Sequence, residues 1–267
     1  MPVHGPSADR DDLLLEEAWE VAMAGYKDGL AFRYLQATKY DREKPLRDSL
    51  GHIPAPARFK VYPQAERVPL PPPDRSRPAD LWQCLARRRS ERDTSPQPLT
   101  LQELSLLLWA AQGVTARAGG YLLRTAPSAG ALYPFETYVY ADRVDGLGKG
   151  IYHFEVGEFV LERLKEGDFN RHLTASGLGQ SALRRAAVVL IWTAVLLRCM
   201  VKYRERAVRY IAMDLGHVCQ NVQLAATAMG LGSCPIGAFY DDDINRLIGV
   251  DGEEETVLYL ATVGKLG

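Results

Sequence analysis

With 267 residues the chain can bury a sizeable core, and its 32 basic against 33 acidic residues leave a net charge of -1. Such a balance creates no global field for nucleic acid or an anionic membrane, so neither is expected as a partner. The four cysteines, Cys84, Cys199, Cys219 and Cys234, form no CxxC pair, and no histidine stands beside them at ligand spacing. That argues against a zinc site or a disulfide framework and for a reducing compartment.

Residues 1 to 30 lack the basic segment and pure apolar run of a signal peptide, so a cytoplasmic location is expected. Within them, Asp11 to Tyr26 has the pattern of an amphipathic helix, with acidic residues in the first turn and Gly25 near the end. The polar, aromatic passage Ala31 to Arg42 has no clear pattern. Between Pro54 and Pro78 the prolines cluster, with Pro71, Pro72 and Pro73 in a row, which favours an extended arm or linker over a helix or central strand. The expected division is residues 1–80 as an N-terminal helical segment with this arm, and 81–267 as the main domain.

A helical pattern resumes at Leu81 and closes on Arg87, Arg88, Arg89 and Arg92 with Ser90 among them. Guanidinium groups and a hydroxyl at a helix end can grip a phosphate through charge-assisted hydrogen bonds, or can simply form a solvated basic helix end. Thr100 with Glu103 three residues later is a capping box, and that helix stops at Gly113. Pro127, Ser128, Ala129 and Gly130 make a tight loop ahead of an alternating aromatic strand, Glu136 to Ala141, either an ordinary turn or a ligand contact at a strand mouth. Gly146, Gly148 and Gly150 do not match GxGxxG and precede a strand, so no dinucleotide loop is assigned. Residues 151–155 and 159–164 read as a hairpin.

The apolar run Ala186 to Val201 is interrupted by Arg198 and falls short of the roughly 20 residues that span a bilayer. It reads as a strand buried on both faces, around Val188 to Leu197, feeding directly into Lys202 and Tyr203. Next comes the longest element. From about Glu205 to Met229 the apolar positions Ile211, Leu215, Val218, Val222, Ala225 and Met229 recur at steps of four and three, the period of a helix with one buried stripe. Gly230 and Pro235 stop it. Gly230, Gly232 and Gly237 leave backbone amides open to a flat or anionic ligand. His217 with Asp214 and Asn221 could be a triad fragment, but no nucleophile motif accompanies it, and a satisfied interface histidine is the favoured reading. Thr256 to Val263 is the last strand, and the sum is an α+β layout of strands under long helices.

Four pieces together resemble one family: Arg88 to Arg92 (RRSER), the loop and strand RTAPSAGALYPFE, the stretch KYRERAVRY with DLGHVCQN after it, and GLGSCPIGAF before a final strand ending VGK. They resemble the nitroreductase superfamily of flavoproteins, and within it the SagB-type branch that includes azoline dehydrogenases. The resemblance covers about residues 81–265, and Thr38-Lys39-Tyr40 is also similar to that branch. It implies a nitroreductase-like α+β fold, a central mainly antiparallel sheet flanked by long helices in an interlocked homodimer, with FMN at the subunit interface. By matching positions, Arg88, Arg89, Ser90, Arg92 and Lys265 would hold the phosphate and ribityl chain. The loop Pro127, Ser128, Ala129 and Gly130 would face the cofactor through its backbone, and Ile236, Gly237 and Ala238 would lie along the isoalloxazine, with an amide near the N5 atom that accepts hydride. Lys202 and Tyr203 match the catalytic Lys-Tyr pair of azoline dehydrogenases, the lysine acting as base while hydride leaves another carbon. Asp93-Thr94 stands where an aromatic residue is expected. The implied function is oxidation of thiazoline or oxazoline rings of a modified peptide to azoles, with a cyclodehydratase as possible partner. Two alternatives stay open: an NAD(P)H-dependent reductase of nitroaromatics or quinones, and a non-catalytic scaffold subunit of a peptide-modifying complex.

Overall fold

The structure, a computed structural model, describes residues 19, 25–43, 54, 56–76 and 78–267. The chain divides into two compact units, Met1–Asp48 and Ser49–Gly267. In the first, helix α1 (Leu30–Ala37) occupies the passage that has no clear pattern in sequence, with the rings of Tyr26 and Phe32 edge to face at 5.1 Å. The helix expected over 11–26 lies outside the described residues apart from Trp19, Gly25 and Tyr26, which are helical.

The larger unit runs through β1 (Glu66–Pro69), α2 (Leu81–Arg87), β2 (Leu99–Thr100), α3 (Leu101–Gln112) and a hairpin of β3 (Val114–Ala118) and β4 (Tyr121–Arg124). It continues with β5 (Phe135–Ala141), β6 (Val144–Asp145), β7 (Gly150–Glu155), β8 (Val160–Glu166), α4 (Asn170–Ser176) and α5 (Ser181–Arg185). The last third holds β9 (Val188–Val195), α6 (Leu197–Tyr203), α7 (Ala207–Ala228), β10 (Leu231–Ile236), α8 (Asp241–Ile248) and β11 (Glu255–Lys265). Seven strands form one sheet in the order β1-β8-β7-β5-β9-β11-β10, and every neighbouring pair in it is antiparallel.

Period-two alternation makes this sheet the middle layer of three. Phe135, Val139 and Ala141 of β5, with Val188, Leu190, Trp192 and Ala194 of β9, point to one core, which α3 and α7 cover. Tyr138, Tyr140, Val189 and Ile191 point to the other, which α4, α5 and α8 cover. Both faces of the central strands are thus buried, as their apolar runs require. The stripe Ile211, Leu215, Val218 and Val222 seats α7 against the first core, and Gly230 follows in the left-handed conformation at φ 71°. The capping box forms as read, with the Thr100 hydroxyl accepting from Glu103 N at 3.2 Å and the Glu103 carboxylate from Thr100 N at 2.9 Å.

Three expectations change. The proline-rich passage is partly built into the sheet, since β1 pairs with β8 and ends at Pro69; proline is tolerated there because β1 is an edge strand. The described residues of 54–80 group with the larger unit. The strand β9 does not run into Lys202: it stops at Val195, and α6 intervenes. Gly232 serves packing, not ligand approach, because a Cβ there would meet Leu266 at 2.8 Å, Glu91 at 3.0 Å and Thr94 at 3.2 Å.

Candidate functional site

Two groups of the expected residues assemble, both against α7. In the first, the loop after β4 is drawn to the helix by Asp214, whose carboxylate accepts the Ala129 N–H at 2.9 Å and the Ser128 hydroxyl. Tyr133 N closes the loop on Ser128 Oγ at 2.9 Å. Gly130 takes φ 63° at its turn, and the non-glycine residues Ala131 and Tyr133 also have positive φ, 53° and 45°. Strain of this kind persists only where surroundings over-determine the backbone, commonly at functional sites. Across from the turn stand Lys202 and Tyr203: a Cβ built on Gly130 would lie 2.7 Å from Lys202 Nζ and 2.8 Å from Tyr203 OH. The ammonium and the phenol therefore converge on one point above a residue that can have no side chain. Tyr203 is held by Tyr210, ring to ring at 4.7 Å, and Lys202 Nζ lies 5.3 Å from the Tyr203 ring centre. Lys202 is exposed.

Asp214 is buried, which raises its pKa, while the Ser128 hydroxyl, the Ala129 N–H and His217 pull the other way without cancelling the rise. Neighbouring Cys199 is pushed up to about 12 by burial and by the Asp214 charge, so it is no nucleophile. His217 is thus one neighbour of a loop-anchoring aspartate.

The second group lies along the open edge of β10. Helix α2 ends at Arg87, earlier than the basic run suggests, and the following segment is extended: Ser90 bridges Ser233, and Glu91 N donates to Ser233 O at 2.9 Å. Arg88 bonds Gln223 Oε1 of α7 at 3.0 Å, Arg89 bonds the carbonyls of Ala86 and Arg88, and Arg92 that of Ser90. None of these three guanidinium groups has a carboxylate partner among the described residues, leaving a donor set suited to an anion. Asp93 turns away to Arg185, and buried Thr94 fills the space over Gly264, where a Cβ would lie 2.7 Å from Thr94 Cβ. That packing accounts for the small residue found where an aromatic one was expected.

Lys265 and Ile236–Ala238 do not share one end of the site. Lys265 pairs with Leu231 at the start of β10, five residues or about 17 Å along the strand from Ile236, and its ammonium is ion-paired with Glu103. Ile236 is buried in the second core, so only its backbone is on offer. Gly237 and Ala238 are exposed, with the Ala238 carbonyl accepting from Gln180 at 2.8 Å. A cavity of about 290 Å³ lined by Asp74, Thr100, Gln102, Glu103, Leu106 and Met229 contains none of the expected site residues.

Asp214 and Gln223, which the motifs pass over as ligand-side residues, tie the two groups to one helix. They are nine residues, or about 14 Å, apart along α7. Their signal in the sequence is a polar residue flanking the buried stripe, beside Leu215 and Val222, where a polar group needs a specific partner.

Residues 85–265 match the Nitroreductase family. The protein MJ1384 of Methanocaldococcus jannaschii, itself assigned to the nitroreductases, is 40% identical over 185 residues, covering 69% of this chain and 90% of its own. The trifolitoxin-processing protein TfxB of Rhizobium leguminosarum bv. trifolii is 32% identical over 151 residues, 53% of this chain, of which only 40% of TfxB is spanned. The microcin B17-processing protein McbC of Escherichia coli is 25% identical over 137 residues, 49% of this chain and 50% of McbC. A nitroreductase structure from Anabaena variabilis superposes with a TM-score of 0.71 at 27% identity, over 88% of this chain and 47% of that one. The matched family spans the α2 segment, the Ser128 loop, the Lys202-Tyr203 pair and the final strand, and the chain belongs to the nitroreductase family of oxidoreductases, with relatives on its SagB-type branch.

Proposed function

We propose that this protein is an FMN-dependent oxidoreductase that oxidises thiazoline or oxazoline rings in a modified peptide to azoles. The observation that carries the reading is the convergence of Lys202 Nζ and Tyr203 OH on Gly130, beside a loop pinned to α7. The names of TfxB and McbC, a trifolitoxin-processing and a microcin B17-processing protein, support a substrate of that processed kind. The residues fit FMN: Arg88, Arg89 and Arg92 would hold its phosphate with Ser90, and the backbone of Ser128, Ala129, Gly130, Gly237 and Ala238 would border its ring. Bound FMN supplies an acceptor for the two electrons that leave the azoline with one hydrogen. The other hydrogen leaves as a proton, and the neutral amine of Lys202 takes it on Nζ to become the ammonium, with Tyr203 OH orienting the amine or donating to the ring heteroatom. A positioned base of this kind contributes about 10²–10⁴-fold. Exposed apolar side chains on α2 (Leu81, Trp82, Leu85) and α7 (Val208, Met213) support a homodimer whose second copy covers them.

The test begins with the visible spectrum of the purified protein and identification of the released chromophore, followed by turnover of an azoline-containing peptide. FMN near one per chain with azole formation is expected; a colourless protein that takes up no added FMN refutes the reading. The higher identity to MJ1384 favours one second reading, a reductase that takes electrons from NAD(P)H and passes them to nitroaromatics or quinones. Nicotinamide consumption with such acceptors and no azoline oxidation would select it.

A further inference from the structure

The short helix α6 carries the proposed proton-transfer pair at its C-terminal end, yet little in its own sequence holds it. Seven residues are too few for a stable isolated helix, its N-terminus has no side-chain cap, and Arg204 immediately after it is forced to φ 50°. Its only buried residues are Arg198 and Cys199. Arg198, one turn before Lys202, sends Nη2 to Glu136 Oε1 at 2.6 Å and Nε to the Ala57 carbonyl at 2.7 Å, and both charged side chains are about 5% exposed. Glu136 is itself immobilised: Lys60 N donates to Oε1 at 3.2 Å, and His153 Nε2 meets Oε2 at 3.1 Å. It is also the second residue of β5, directly downstream of the Ser128–Pro134 loop. One buried carboxylate therefore fixes both the helix that carries Lys202 and the strand that follows Gly130.

A buried ion pair is a poor stabiliser compared with apolar residues of the same volume, and its best-attested use is to specify register. We propose that Arg198, through Glu136, is the positioning residue that sets Lys202 and Tyr203 over Gly130; the inference rests on the proposed role of that pair. Arg198 is buried and bonds Glu136 and Ala57, and it acts by choosing where α6 sits.

The experiment compares the full-length wild-type protein with Arg198→Gln, Arg198→Lys and, should Arg198→Gln fail to fold, Glu136→Gln. Its first readout needs neither substrate nor flavin: lysines are reductively methylated with ¹³C-formaldehyde, and the Lys202 signal is assigned by its loss in Lys202→Arg. In Arg198→Gln or Glu136→Gln this signal is expected to move to the position of a freely exposed lysine. FMN affinity stays within twofold, because Arg88, Arg89 and Arg92 are on another segment, while kcat on the azoline peptide falls at least tenfold with KM within twofold. Arg198→Lys, which keeps the charge but cannot reach Glu136 and Ala57 together, recovers part of kcat. An unmoved Lys202 signal with kcat within twofold of wild type overturns the inference. If the wild type oxidises no azoline but the Lys202 signal still moves, the positioning role stands and the proposed substrate is what fails.

Discussion

Gly130 is the position where a single atom decides the most. At φ 63° an L side chain costs about 1–2 kcal/mol, and here its Cβ would also displace both Lys202 Nζ and Tyr203 OH. Gly130→Ala is therefore expected to lower azoline turnover by tenfold or more at a stability cost of no more than a few kcal/mol, checked by kinetics alongside thermal unfolding. Lys202→Ala removes only the base: FMN should stay bound while turnover falls about 10²-fold or more, and full activity in this variant would refute the role. Arg88 offers the complementary test, since among the described residues its guanidinium bonds a neutral amide, Gln223, and can turn to an anion. A hydrogen bond to a charged group is worth about 1.5–3 kcal/mol, so Arg88→Ala should weaken FMN binding by roughly 10–100-fold in a fluorescence titration, with the fold intact.

Among the elements, α3 and α7 are held in different ways. The start of α3 depends on its capping box, so Thr100→Ala should cost about 1 kcal/mol in chemical denaturation without affecting activity. The same box keeps Glu103 beside Lys265, where burial opposes ionisation but the Lys265 ammonium and the Thr100 N–H outweigh it and hold the carboxyl below its usual range. Helix α7 instead is a scaffold for two polar anchors on one apolar rod. Periodicity made it legible, because a helix with one buried stripe repeats on a fixed step and needs no partner to be recognised. Nothing in that repeat reveals that Asp214 grips the Ser128 loop, as the loop is 85 residues away in sequence.

For the whole molecule, the face of the sheet left open by α4, α5 and α8 is closed by residues 57–62 over a buried polar network. His153 stands at its centre, Nδ1 2.8 Å from Glu162 and Nε2 3.1 Å from Glu136, with the rings of Tyr62 and Tyr138 each 5.2 Å away. Two carboxylates on the two ring nitrogens call for two N–H donors, and only imidazolium has both. Burial alone pushes the imidazole down, but the hydrogen bonds and charges of Glu136 and Glu162 outweigh it and the pKa is raised. A raised folded-state pKa gives stability that is full below the unfolded value, near 6.5, and is lost as pH rises through the folded one. The melting temperature should therefore decline on the alkaline side of neutrality. His153→Asn should flatten that slope, and at low pH it should be destabilised by about 3–5 kcal/mol, the cost of removing one partner of a buried charge pair. A slope unchanged in the variant would refute the imidazolium assignment.

Taken by itself, the sequence determined the α+β class, the capping box, the hairpin, the long helix with its glycine stop, and the family through four ordered motifs. These signals are local: each lies within one turn, one period or one short motif. Tertiary structure alone decided that β9 ends in a separate helix before Lys202, that Gly232 makes room for Leu266 and Glu91, and that Pro69 closes an edge strand. It alone also brought Asp214, Gln223, Glu136 and Arg198 to their partners. Their bonds join segments 62 to 135 residues apart, and a buried polar residue in a sequence shows that it needs a partner without showing which one.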